Sequence, residues 1–209
     1  MRVTKYLQSC LLVESESGTV LFDPGTMSEE VLIVDDLPKV DAVCITHMHG
    51  DHCSPRLIAA LRGRFGGMPV CGPGDVVEML GSQGIDARSE PPIAVSIFDS
   101  PHESVEPLAP TPQQFGYHFD GRLSHPGDSH HISETKDILA LPVTAPWGST
   151  VNAIKLALEL HPRYVLPIHD WHWSDIARER MYDNLLTIFQ SSGITFVPLK
   201  TGVPVTIGS

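Results

Sequence analysis

The segment Thr46-His47-Met48-His49-Gly50-Asp51-His52 constrains this chain more than any other. Three imidazoles and a carboxylate fall within six residues, directly after the apolar run Val40, Ala42, Val43, Cys44 and Ile45 and directly before a helix start. A short apolar run bounded by polar punctuation reads as a buried strand. The cluster therefore sits at a strand's carboxyl end, where open α/β sheets gather their chemistry. His47 and His49 are two apart and share a face in extended backbone. Gly50 lets the chain turn, which brings Asp51 and His52 round as a second pair. Ser54 is the expected N-cap and Pro55 the first helical residue, and Leu57, Ile58, Leu61 and Phe65 recur at helical spacing. Neutral imidazole with carboxylate suits zinc, manganese or iron. A plain polar loop has little reason to carry three histidines and an aspartate at this spacing.

The remaining chain reads as alternating strands and helices. Strands are expected at 2–7, 10–14 and 18–22, the last running into the turn Asp23-Pro24-Gly25. A short strand Met68–Cys71, a helix opened by Gly72-Pro73-Gly74-Asp75 and running to about Leu80, and a strand at 93–98 follow. That strand ends at Asp99-Ser100-Pro101-His102, so His102 again stands just beyond a strand's end. The proline-rich, acidic run 103–112 reads equally as a pocket wall and as a solvated connection. A hairpin of 114–119 and 122–124 turns on Asp120-Gly121 and leads to His125-Pro126-Gly127-Asp128. The strand Ile138–Val143, a helix capped by Ser149 or Thr150 and stopped at His161-Pro162, and the strand Arg163–Ile168 make a strand–helix–strand unit ending in His169. Trp171 and Trp173 flank His172, and read evenly as pocket lining or as anchors for the helix Ile176–Phe189, which Ser174 caps. Strands at 194–199 and 203–207 finish the pattern.

The H-x-H-x-D-H segment resembles the signature of the metallo-β-lactamase superfamily, and the likeness extends over nearly the whole chain. It implies an α/β fold, a four-layer αββα sandwich, with one domain over 1–209 built of two similar halves at about 1–105 and 113–209. It also implies the ligand set. His47, His49 and His102 would hold one divalent cation, Asp51, His52 and His169 a second, and Asp128 would bridge them. Both cations would be zinc in the first instance, with manganese or iron as substitutes. Asp23 would brace the metal loop without binding metal. A hydroxide held by the two cations would attack a carbonyl or phosphorus centre, with Asp51 and Asp128 as the catalytic carboxylates and Asp51 or a nearby histidine passing a proton to the leaving group. His125, His130 and His131 are expected around the ligands rather than among them, and Cys53 beside them.

Within the superfamily, true β-lactamases usually carry Cys or Ser where Asp128 stands. The Ser9-Cys10-Leu11-Leu12 strand, the Phe22-Asp23-Pro24-Gly25 turn and Pro167-x-His169 resemble the UlaG-like branch of compact hydrolases, which implies cleavage of a small ester or lactone. A phosphodiesterase acting on a small nucleotide or phospholipid, and a non-catalytic metal- or ligand-binding sensor, remain the alternatives. The 25 acidic against 14 basic residues, a formal charge of −11, disfavour nucleic acid as a partner and leave a small molecule as the expected substrate. No apolar run is long enough to span a bilayer, the first residues lack a signal peptide's apolar core, and the four cysteines show no C-x-x-C spacing. These features imply a cytoplasmic protein with reduced thiols and no membrane partner; oligomeric state is left open.

Overall fold

The structure, a computed structural model, describes residues 1–208. Strands β1 (Arg2–Lys5), β2 (Leu11–Ser15) and β3 (Gly18–Phe22) form an antiparallel meander. Strands β4 (Ala42–Cys44) and β5 (Val70–Cys71) then add in parallel beside β3. Helix α1 (Pro55–Arg64) connects them, and α2 (Gly74–Ser82) follows. The second sheet repeats this plan. Strands β6 (Val95–Phe98), β7 (Gly116–Phe119) and β8 (Leu123–His125) are antiparallel. Strands β9 (Ile138–Pro142), β10 (Tyr164–Ile168) and β11 (Thr195–Phe196) extend them in parallel. Helices α3 (Thr150–Leu160) and α4 (Asp175–Ser191) make the crossovers. The last strand, β12 (Val205–Thr206), returns to the first sheet and pairs antiparallel with β1.

The period-two alternation of the strands builds the layers. In β2, Leu11 and Val13 face the second sheet, where they meet Tyr117, Phe119, Leu123, Ile138, Ala140, Leu166 and Ile168. Leu12, between them, points outward with Leu21, Val43 and Val70 onto Leu57, Ile58, Leu61, Val76 and Leu80 of α1 and α2. The second sheet likewise turns Leu139, Leu141 and Val165 outward onto Ala153, Leu156, Ala157, Leu185 and Phe189 of α3 and α4. The chain is thus an αββα sandwich of four layers. Among the described residues no helix is long and apolar enough to cross a membrane.

The helix starts obey their caps. The hydroxyls of Ser54, Ser149 and Ser174 accept from the backbone N–H of Leu57, Asn152 and Ala177 at 3.1, 3.2 and 3.3 Å. Helix α3 stops where His161 turns left-handed at φ 50°. Several strands are shorter than their apolar runs suggest. The first stops at Lys5, because Leu7 and Gln8 are both left-handed, at φ 69° and 47°. Ala94, at φ 64°, delays β6. Pro198 and Pro204 have no N–H for a ladder, and β11 and β12 are correspondingly brief.

Candidate metal centre

Strands β3 and β4 are parallel neighbours, so their carboxyl ends open side by side. Asp23 follows β3 at φ 46°, and its carboxylate accepts from the Thr46 N–H at 2.7 Å and the Thr46 hydroxyl at 2.8 Å. The same carboxylate takes the Nδ1–H of His52 at 2.7 Å, which turns His52 Nε2 toward the centre. Asp23 is fully buried, and these three bonds brace the loop. Gly25 makes the bend possible: a Cβ there would lie 1.9 Å from the Asp51 carbonyl oxygen. The Thr26 N–H donates to the Gly50 carbonyl at 2.7 Å and closes one loop on the other.

The other donors arrive from the second sheet. Ser100, just past β6, donates to the Pro126 carbonyl at 2.6 Å. The Gln114 amide donates to the carbonyls of Ser100 and Pro126 at 2.8 and 3.1 Å, and its oxygen accepts from the Asp128 N–H at 2.9 Å. This clamp holds the His102 and Asp128 loops together. His169 ends β10 in a left-handed conformation, φ 60°, with its N–H donating to the Gln8 carbonyl at 3.3 Å.

All seven expected residues converge. Ligand atoms of His47, His49 and His102 lie within 4.8 Å of one another, as do those of Asp51, His52 and His169. His47, His52 and Asp128 form a third such group that links the two. Asp128 Oδ1 lies 3.0 Å from His52 Nε2 and 2.7 Å from His169 Nε2, and Oδ2 lies 3.8 Å from His102 Nε2.

The ring orientations decide which atoms are free. His102 donates Nδ1–H to the Glu103 carbonyl at 2.5 Å. The Thr46 hydroxyl, spending its proton on Asp23, can accept Nδ1–H of His47 at 3.1 Å. The Nε2 atoms of His47 and His102 are buried without a hydrogen-bond partner among the described residues, and Asp128 Oδ1 has the rings of His52 and His169 beside it. A buried polar atom left unpaired is costly. Two such nitrogens, each within 4.8 Å of further imidazole or carboxylate donors, fit a cation, and the mix of imidazole and carboxylate is a transition-metal donor set.

The electrostatics agree. Burial, then the neighbouring His52, pushes His47 well below the ordinary imidazole range. Burial also lowers His49 and His102. These three rings are neutral, with lone pairs to give. His52 is the exception: burial works against its charge, but Asp128, Asp51 and Asp23 outweigh that and raise it well above the usual value. Burial opposes ionisation of Asp128, but His169 and His52 prevail and hold it well below the carboxylate range. The carboxylates of this pocket thus favour positive charge beside them.

The neighbouring groups divide as follows. His125 stacks on Phe22 and reaches the Ser9 carbonyl at 3.0 Å, and His130 reaches the Pro142 carbonyl at 2.8 Å. His131 is largely exposed and pairs with Glu103 at 3.3 Å. Cys53 is buried beneath α1, its thiol pushed up to about 12 by burial, and takes no part in the cluster. Trp173 packs on the core under α4, whereas Trp171 is exposed and lies against His172. Trp173 thus takes the anchoring role. Two further residues touch the donors. Trp147, beyond β9, donates its indole N–H to Asp128 Oδ2 at 2.9 Å and lies 5.6 Å from the His169 ring. Gln8 donates its amide to Asp51 Oδ2 at 2.8 Å. Both lie past strand ends, the signal that singled out His102 and His169, but neither is a histidine, cysteine or carboxylate.

Comparison with known proteins places this arrangement. The profile of the β-lactamase superfamily domain matches residues 2–169. Protein Rv0786c of Mycobacterium tuberculosis is 28% identical over 214 residues, spanning 97% of this chain and 99% of that protein. Igni18, a novel metallo hydrolase from the hyperthermophilic archaeon Ignicoccus hospitalis, superposes with a TM-score of 0.74 at 17% identity, over 100% of this chain and 98% of that one. A diphosphatase from the PhnP family superposes with a TM-score of 0.66 at 19% identity, over 95% and 84% of the two chains. At such identities the structural likeness is one of fold.

Proposed function

The chain belongs to the metallo-β-lactamase superfamily, and on that premise we propose that it is a metal-dependent hydrolase of the UlaG-like kind, cleaving a small ester or lactone with two divalent cations. His47, His49 and His102 hold one cation, Asp51, His52 and His169 the other, and Asp128 is shared. The observation that carries this reading is the linking group of His47, His52 and Asp128, which joins the two three-residue clusters through one carboxylate. Divalent cations bound there supply Lewis acidity, lowering the pKa of a water and neutralising charge that develops on oxygen.

The chain's own residues do the rest. Asp23, Thr46 and the Glu103 carbonyl fix the ring tautomers, so that nitrogen lone pairs face the centre. Trp147 holds Asp128 by its indole N–H and presents a ring edge beside His169. Asp51 is partly exposed where Asp128 is buried, and its carboxyl is held low chiefly by His52 against the pull of burial. An ionised, reachable carboxylate could take the proton released by an attacking water and pass it to the leaving group.

A small neutral acyl compound suits this site better than a phosphate ester. Among the described residues no lysine or arginine hydrogen-bonds or pairs with any of the seven donors. Lys5 and Arg178, in β1 and α4, are both engaged by Asp170. Bidentate basic clamps are a common means of holding phosphate, and among the described residues none is bonded to these donors. The test is a panel of esters, lactones and bis-p-nitrophenyl phosphate offered to metal-loaded protein. Ester or lactone turnover that Asp128→Ala abolishes is the expected result. Preference for the phosphodiester would reverse the substrate assignment, and silence on the whole panel would favour a binding protein of the same fold.

A further inference from the structure

We propose that Gln8 is an additional metal-ligating residue, supplying its carboxamide oxygen to the cation held by Asp51, His52 and His169. The inference rests on the two-cation reading above and adds a donor to one half of it.

Gln8 is fully buried, so its side chain meets no substrate. The backbone is bent to place it: Leu7 and Gln8 are consecutive left-handed residues, a conformation costly for any side chain with a Cβ. The amide tip reaches the donor cluster, with its nitrogen 2.8 Å from Asp51 Oδ2 and 3.1 Å from both ring nitrogens of His169. A donor equidistant from two ring nitrogens is in line with neither, so the one well-formed bond is to Asp51. The other end of the amide, Oε1, is buried with no partner among the described residues. These spacings match a ligand shell. Two atoms each about 2.1 Å from one ion, at 90–109° to each other, lie roughly 3.0–3.4 Å apart. His52 Nε2 and His169 Nε2 are themselves 3.1 Å apart.

Without a cation, the amide turns its N–H₂ toward the Asp51 carboxylate. With one, a half-turn about the Cγ–Cδ bond exchanges the two ends and brings the oxygen into the shell, since amide oxygen and nitrogen differ little in size. The two positions then differ in kind. His47, His49, His102 and Asp128 form a nitrogen-rich set suited to zinc. Asp51, Asp128 and Gln8 with His52 and His169 form an oxygen-rich set that favours manganese or iron.

Titration of Mn²⁺ into the metal-free full-length protein, with free ion counted by its paramagnetic resonance signal, separates the roles. Wild type is expected to bind two ions, and Gln8→Leu to weaken one of them by ~10-fold or more. Gln8→Glu, which keeps the oxygen and adds charge, should bind that ion at least as tightly as wild type. If the amide serves only as an N–H donor to Asp51, Gln8→Glu sets two carboxylates against each other and weakens the ion as Gln8→Leu does, which overturns the proposal. Unchanged binding in Gln8→Leu overturns it as well. Should Gln8→Glu fail to fold, Gln8→His carries the same comparison, retained affinity supporting the proposal and lost affinity overturning it. A wild-type chain that binds fewer than two ions overturns the two-cation reading itself, a result distinct from any of these.

Discussion

Asp23 shows how a residue that holds no ligand position can govern the centre. Its two oxygens carry three hydrogen bonds, from Thr46 N–H, the Thr46 hydroxyl and His52 Nδ1–H. Removing it frees the Thr46 hydroxyl that orients His47 and lets the His52 ring rotate, so both proposed cation positions would suffer. Asp23→Ala is therefore expected to weaken metal binding by about 10–100-fold, the usual cost of losing such a support, and chelator competition measures it. The donor residues and this brace were legible in the sequence because histidine and aspartate clustered at strand ends have few other uses. Gln8 and Trp147 were not, because a lone amide or indole has many uses. Nothing in Tyr6-Leu7-Gln8-Ser9 announces two successive left-handed residues, since the conformation is imposed by packing rather than by a glycine.

At the scale of elements, the site depends on β1, β10 and α4 keeping their mutual register. Lys5, the last residue of β1, donates to the Pro167 carbonyl at 3.0 Å and pairs with Asp170 at 2.5 Å. Tyr182 and Arg178 of α4 hold the other carboxylate oxygen at 2.5 and 3.2 Å. The partners shift in ways that favour opposite conclusions. Burial pushes the Lys5 ammonium below its ordinary value despite Asp170. Burial pulls the Asp170 carboxyl up, but Lys5 outweighs it and, with Tyr182 and Arg178, holds it below the usual range. The carboxyl governs stability in acid, where Lys5 stays protonated throughout. A folded-state pKa below the unfolded value means stability that is present above about pH 4 and is lost as pH falls through the folded value. Asp170→Asn should cost about 3–5 kcal/mol near neutrality, because it leaves a buried ammonium unpaired. That deficit should shrink as pH drops below about 4, a trend that urea melts at several pH values would measure. The helix caps that fix these elements were legible, since Ser before a helical run has one common meaning. The short strands were not, because their ends are set by Ala94, Pro198 and Pro204 interrupting apolar runs that otherwise read as continuous.

For the molecule as a whole, the layering followed from alternation and from apolar helix faces. What alternation could not tell is which sheet the last strand joins, since a short apolar run fits either edge. The answer is the first sheet, where Val205 pairs with Val3 and Thr206 with Arg2, so the chain's end is stitched to its beginning. Ile207 then drops into the core between the sheets, 3% exposed, beside residues of both. Its burial joins the sheets from outside the site, because β12 meets the amino end of β1 while Gln8 lies past the carboxyl end. Ile207→Ala should therefore destabilise the fold by about 2–5 kcal/mol in urea. Val203→Ala, half-exposed in the approach to β12, should stay within about 0.5 kcal/mol. Metal affinity should be unchanged in both variants under native conditions. A loss of metal in Ile207→Ala while the fold persists would mean that the strand pairing at the amino end of β1 is coupled to the bend at Leu7 and Gln8.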